Sequence, residues 1–323
     1  QGSPLAHIIT FTMPLLVGNL FQQFYNLVDS IVVGNYVGAD ALAAVGTCGS
    51  LGFLFFSLSS GLAVGIGILA AQYFGARDTE KIRATIANST YILLLAGTAV
   101  SLFGFFGADW LLHLLQVPED IFPMSLSYLR VTSLGIVAVA LYNGVASLLR
   151  ALGDSKSPLY FLIFSCFLNI VLDLLFVAVL HMGVAGAALA TVISRFVELF
   201  IVAGWTHLHK ERNAFIVGAY RSMAIPSGLL RNIIVKGMPL LANELLWSTG
   251  MTFLNQCYST CGLDVVPAVN ISTTLFNLTG VVFMSMGTAN GILMGQMLGS
   301  SAPENEVRDY CRKLIALFCR QAV

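Results

Sequence analysis

Residues 45–74 read VGTCGSLGFLFFSLSSGLAVGIGILAAQYF, and the run holds no charged side chain. A helix rises about 1.5 Å per residue, and crossing a hydrocarbon core ~30 Å thick takes about 20 residues. This stretch is long enough to cross it at a tilt. Its last part, Gly67-Ile68-Leu69 with Gln72 and Gly75, returns as Gly291-Ile292-Leu293 with Gln296 and Gly299, a shift of 224. Met13-Pro14-Leu15-Leu16 returns as Met238-Pro239-Leu240-Leu241, a shift of 225, and Gly38-Ala39-Asp40 as Gly262-Leu263-Asp264, a shift of 224. Three motifs at nearly one period predict an internally duplicated membrane protein.

Composition agrees. Of 323 residues, 57% are hydrophobic and only 10% charged, against about 25% charged in soluble domains. The mean hydropathy is +0.84. Formal net charge is zero, so there is no electrostatic case for nucleic acid or an acidic partner. The spacing predicts spans near 11–37, 45–74, 88–108, 124–150, 158–180, 184–206, 228–260 and 265–298, with a ninth beginning near 309. Gly61 with Gly65, and Gly291 with Gly295, are spaced for close helix approach. No signal peptide is visible and the chain starts with Gln1, so the natural N-terminus is expected further upstream.

Arg77, Lys81 and Arg83 follow span two, Arg150 and Lys156 separate spans four and five, and Arg308, Arg312 and Lys313 follow span eight. Lys210, Arg212, Arg221, Arg231 and Lys236 lie between spans six and seven. The loops after odd spans carry Asp40, Glu119, Asp120 and Asp264 and no Lys or Arg. Basic loops stay in the cytoplasm, which predicts a cytoplasmic N-terminus in the cell's inner membrane. Six spans separate the repeat copies, an even number, so both insert the same way and form a parallel repeat. The predicted fold is an all-α polytopic membrane protein of two pseudo-symmetric bundles of six transmembrane helices, the second cut short after its third helix. An N-lobe at 1–206 precedes a cytoplasmic linker and the start of span seven at 207–236, and a partial C-lobe follows at 237–323.

A charge at the centre of a membrane helix costs about 2.5–3.5 kcal/mol on insertion scales, so each one is a candidate functional group. Gln22, Asn26 and Asp29 stand at i, i+4 and i+7 in span one, with Tyr25 beside them, and predict one polar stripe turned from lipid. Asn169 and Asp173 share a face of span five, and span six adds Thr191. Desolvation disfavours a charged carboxylate and a nearby cation favours it. Carboxylate, amide and hydroxyl oxygens suit Na⁺ or H⁺ coupling. The rival reading makes Asp29 and Asp173 structural hydrogen-bonding groups. Arg195 and Glu198, three apart, are expected to pair. Glu244 is a candidate second-lobe cation or drug ligand. Asn270 and Asn277, seven apart on span eight, are expected to line the same cleft. Pro14 removes a backbone hydrogen bond in span one and permits a bend. Cys257 and Cys261 read as small packing residues, since no further ligand completes a metal set. The five histidines lie near span ends or in loops, and no nucleophile–base or metal constellation points to an enzyme or a transition-metal site.

The run Met13-Pro14, Gln22-Gln23-Phe24-Tyr25-Asn26-Leu27-Val28-Asp29 and Val33-Gly34 resembles the first helix of the multidrug and toxic compound extrusion (MATE) transporters. Leu149-Arg150-Ala151-Leu152-Gly153-Asp154-Ser155-Lys156-Ser157-Pro158 is similar to their boundary after the fourth helix. Asn169-Ile170-Val171-Leu172-Asp173 and Gly183-Val184-Ala185-Gly186-Ala187-Ala188, with Ala190-Thr191, resemble their fifth and sixth helices. The resemblance covers essentially the whole chain. It implies a V-shaped pair of lobes with a cleft open alternately to each side. It also implies export of cationic or amphipathic organic compounds in exchange for Na⁺ or H⁺, with no other cofactor. It places the cation site on Asp29, Asn169, Asp173 and Thr191. Gln22, Tyr25 and Asn143 would line the drug cleft, joined by Asn26 on the same stripe, and Pro14 would bend. The expected partners are small organic cations or amphipathic drugs and the lipid bilayer, with the protein a monomer. Two alternatives stand beside this one: a lipid-linked oligosaccharide flippase of similar architecture, whose cleft would need several cationic residues, and a non-transporting truncated fragment.

Overall fold

The computed structural model describes residues 4–209, 211, 213, 216, 227–260 and 265–321, with no side chains described in 4–8 and 314–321 and only some in 227–279. Its elements are α1 (Pro4–Tyr36), α2 (Ala39–Gly75), α3 (Thr79–Leu114), α4 (Phe122–Leu134), α5 (Ile136–Ala151) and α6 (Lys156–Asp173). A π-helical turn (Leu174–Val179) extends α6, and α7 (Gly183–Leu208), α8 (Ser227–Thr260), α9 (Val265–Gly299) and α10 (Glu304–Gln321) follow. Among the described residues five helices are long and apolar enough to cross a membrane, or six if one bent pair is a single span. Lipid offers backbone amides no partner, so helices that satisfy their own hydrogen bonds are the form such segments take. Large apolar side chains face outward along them: Leu95 is 71% exposed and Phe106 75%.

Each predicted span has its helix, with three corrections. The fourth is broken: α4 and α5 meet at Gly135 with a bend of 41°. Ser133 Oγ donates to the Leu129 carbonyl at 2.6 Å and Thr132 Oγ1 to the Tyr128 carbonyl at 2.8 Å. Such back-bonding, next to a glycine, loosens the helical ladder and bends it. The third span starts earlier, at Thr79, because Asp78 caps it. The ninth helix starts at Glu304, and its first ten residues carry Glu304, Glu306, Arg308, Asp309, Arg312 and Lys313, so the apolar part begins only afterwards.

Asp78 Oδ1 accepts from the Lys81 N–H at 3.0 Å and Oδ2 pairs with Lys81 Nζ at 2.7 Å. The bonds to Lys81 hold the Asp78 carboxyl below its ordinary range. A depressed folded value means the cap contributes above the unfolded pKa of about 3.9 and is lost as pH falls through the folded one. Between α5 and α6 the loop uses Gly153 at φ +96°, a conformation that favours glycine. Asp154 then accepts from the Lys156 and Ser157 amides at 3.1 and 3.0 Å, which starts α6.

The repeat is visible as a reciprocal contact. A Cβ built on Gly75 would meet the Gln296 carbonyl oxygen, and one on Gly299 would meet the Gln72 carbonyl oxygen. These positions are one repeat period apart, so α2 and α9 cross about a local pseudo-two-fold. Of the predicted glycine pair in α9, Gly295 sits against Ala71 while Gly291 has nothing within 4 Å. The close approach is therefore one turn further along, at Gly295 and Gly299. Asn19 Nδ2 donates to Ser285 Oγ at 2.9 Å, and Gln296 Nε2 to the Ala151 carbonyl at 2.8 Å. These bonds tie α9 to α1 and to the end of α5.

Gly299→Ala forces a methyl against backbone, and overpacking of this kind costs about 1–3 kcal/mol. Its thermal unfolding midpoint in detergent should fall, while Gly291→Ala should leave it unchanged. Asp78→Ala should lower the hydrogen-exchange protection factor of the Lys81 amide, and protonating Asp78 in the parent should do the same once rates are corrected for the intrinsic pH dependence of exchange.

Candidate functional site

The polar residues of α1, α6 and α7 meet inside the first bundle. Asp29 is 6% exposed, Asn169 2% and Asp173 0%. With its amide turned so that both ends are satisfied, Asn169 donates to Asp173 Oδ2 at 3.1 Å and accepts from the Thr191 N–H at 3.3 Å. The carboxyl groups of Asp29 and Asp173 face each other within hydrogen-bonding reach. Oδ1 of each is buried without a hydrogen-bond partner among the described residues. The four residues predicted as one group thus come together.

Asp173 is also the last α-helical residue before the π turn. There Leu180 N–H reaches back five residues to the Leu175 carbonyl at 2.9 Å. Such turns slip the hydrogen-bond register and recur at functional sites. The segment Leu174–Val179 is wholly apolar, so its sequence carries no signal for this. Tyr128 of α4 lies close enough to feel the charges of Asp29 and Asp173 and was also missed, because no i to i+4 partner in its own helix links it to them.

The stripe on α1 divides. A helix turns about 100° per residue, so Gln22, Tyr25 and Asp29 fall within one sector and Asn26 swings beyond it. Tyr25 and Asp29 are buried and Asn26 is exposed; neither Tyr25 nor Asn26 lines the cavity beside Gln22. That cavity, about 120 Å³, is bounded by α1, α2, α5, α6 and α7, and its walls include Pro14, Gln22, Asn143, Asn19, Arg150 and Arg195. Asn143 Nδ2 donates to Ser60 Oγ at 3.2 Å on its wall. Pro14 lies within the continuous α1. The side chains of Glu244, Asn270 and Asn277 lie outside the described residues, although their backbones belong to α8 and α9.

Arg195 stands between the cavity and the carboxylate group. It borders the cavity and also the narrow crevice that holds Tyr25, Asn169 and Thr191. Its guanidinium lies 5.3 Å from the centre of the Tyr25 ring, a cation–π distance. Arg195 Nη1 donates to Glu198 Oε2 at 2.8 Å, with the Glu198 side chain fully buried. The expected pair is therefore present, inside the bundle wall.

Comparison with known proteins sets this arrangement in a family: the MatE family model matches residues 14–175. The chain belongs to the MatE family. A Bacillus subtilis relative, "Probable multidrug resistance protein YpnP", is 31% identical over 93% of this chain and 66% of its own length. The chain spans about two thirds of the length of this and similar relatives. Among solved structures, a MOP superfamily transporter from Pyrococcus furiosus superposes with a TM-score of 0.90 at 27% identity, over 98% of this chain and 69% of that one. Its description says that reverse polarity of the binding pocket suggests a different function. A second, the outward-facing conformation of a multidrug resistance MATE family transporter, gives 0.88 at 27% identity over 98% and 69%. With its apolar helices, this MatE family member is a multi-pass membrane protein.

Removing one partner of a buried ion pair leaves the other charge uncompensated, a cost of about 3–5 kcal/mol. Arg195→Gln should lower stability by that amount, and Glu198→Gln in the same chain should restore much of it. A double-mutant cycle of unfolding midpoints checks this.

Proposed function

We propose that the chain forms part of a cation-coupled antiporter that exports cationic or amphipathic organic compounds in exchange for Na⁺ or H⁺. The observation that carries this reading is the contact between the Asp29 and Asp173 carboxyl groups, with the Asn169 amide against Asp173. Two carboxylates this close in a dry site repel one another and lack water to solvate them. A proton shared between them, or a Na⁺ held by their oxygens and the Thr191 hydroxyl, would relieve both costs. Oxygen donors of this kind fit a hard cation.

Exchange requires that the two cargoes favour different states of the protein. Arg195 and Tyr25, lying between the carboxylate group and the cavity, provide a physical route for that competition. Cation entry at Asp29 and Asp173 would shift α1 and α6, whose other residues Pro14, Gln22 and Leu162 form the cavity wall. The two bundles would then open in turn, the protein acting as a monomer in the inner membrane with its N-terminus in the cytoplasm. The names of the B. subtilis and MATE relatives support multidrug compounds as cargo.

Asp173→Asn should abolish ion-driven efflux of a fluorescent dye from cells at equal expression. It should lower the rate at least about tenfold, the effect of losing one charged interaction of roughly 1.4 kcal/mol or more. Unchanged efflux would sink the assignment. Rescue of a flippase-deficient strain, without any change in drug tolerance, would support the oligosaccharide flippase instead.

A further inference from the structure

The charges around the cavity do not balance. Two guanidiniums, Arg150 and Arg195, border it, and no Asp or Glu does among the described residues. Glu198, set behind the wall, pairs with Arg195. No carboxylate among the described residues is within ion-pair distance of Arg150, and its Nε is buried with no hydrogen-bond partner. With Glu198 paired to Arg195, the cavity wall carries one guanidinium more than it has carboxylates among the described residues. A buried guanidinium nitrogen without a partner is costly unless something that enters the cavity supplies one.

The neighbours add to this. Gln22 and Asn19 bring amide groups to the same space. The Tyr25 ring lies under Arg195 and orients its plane. Leu15, Leu159 and Val139 give the remaining wall an apolar character. A guanidinium presents a fork of N–H donors that matches a carboxylate or phosphate oxygen pair.

We infer that this cavity binds the acidic group of an anionic or zwitterionic amphiphile, with Arg150 and Arg195 on a carboxylate or phosphate and the apolar wall against its hydrophobic part. This rests on the export reading above and singles out, among its amphipathic compounds, those that carry at least one acidic group. A dissolved amphiphile and a phospholipid headgroup share that chemistry.

The test is equilibrium binding to the full chain in dodecyl maltoside micelles, which carry no phosphate or carboxylate, at fixed pH and Na⁺ and with no ion gradient. The probes are dansylaminoundecanoic acid and its uncharged primary amide, followed by dansyl fluorescence. The acid should bind about tenfold or more tightly than the amide, the scale of a charge-assisted pair. Arg150→Gln should erase that preference, and Arg150→Lys, which keeps the charge, should retain most of it. Equal binding of acid and amide by the parent chain would overturn the inference, as would an undiminished preference in Arg150→Gln or a loss in Arg150→Lys as complete as in Arg150→Gln. Micelles doped with phosphatidylglycerol separate the sources: displacement of the acid probe identifies a lipid headgroup, and undisturbed binding a dissolved amphiphile. Because no gradient is used, the outcome is independent of whether Asp173→Asn abolishes efflux.

Discussion

Taking Asp29, Asp173 and Glu198 out of water is the constraint around which the first bundle is arranged. A buried carboxylate needs a donor, a counter-charge or a proton. Glu198 obtains Arg195 at 2.8 Å one turn away on the same helix. Asp173 obtains the Asn169 amide, also one turn away. Asp29 has no such local partner among the described residues and faces Asp173 from another helix, so the pair needs a proton or a cation between them. That need brings α1 against α6 and α7 and sets which faces of these helices turn from lipid.

The same constraint explains why the interior is divided in two. The side near the π turn holds the carboxyl pair, and the side near the end of α5 holds the guanidiniums and the cavity. Tyr25 and Arg195 stand between them. Opposite charges are kept close enough to influence one another and far enough apart not to neutralise. An arrangement of this kind stores electrostatic energy that a bound ion or ligand can release, which is what coupling between two sites requires.

Outside the bundle, contact with the following helices depends on missing side chains. Gly75 and Gly299 let α2 and α9 approach until each meets the other's glutamine backbone. Without a hydrophobic drive between helices in lipid, close packing of this type and hydrogen bonds such as Asn19 to Ser285 carry the association. Both are modest.

Much of this was readable from the order of residues. Apolar run length gave the helices, because lipid forces each segment to satisfy its own backbone. The 224-residue period gave the duplication. The i to i+4 spacing joined Asn169 to Asp173, and the i to i+3 spacing joined Arg195 to Glu198, because neighbours on one helix need no knowledge of the rest of the chain. Contacts between helices were out of reach of such rules. Only the tertiary structure decided that Asp29 faces Asp173, that Asn26 is exposed, and that the α5 end brings Arg150 to a cavity wall with no carboxylate among the described residues at ion-pair distance. It alone showed the break at Gly135 and the π turn after Asp173, since neither leaves a mark in local hydropathy. The chain by itself therefore determined which groups would be buried, and packing decided which of them would be left facing one another.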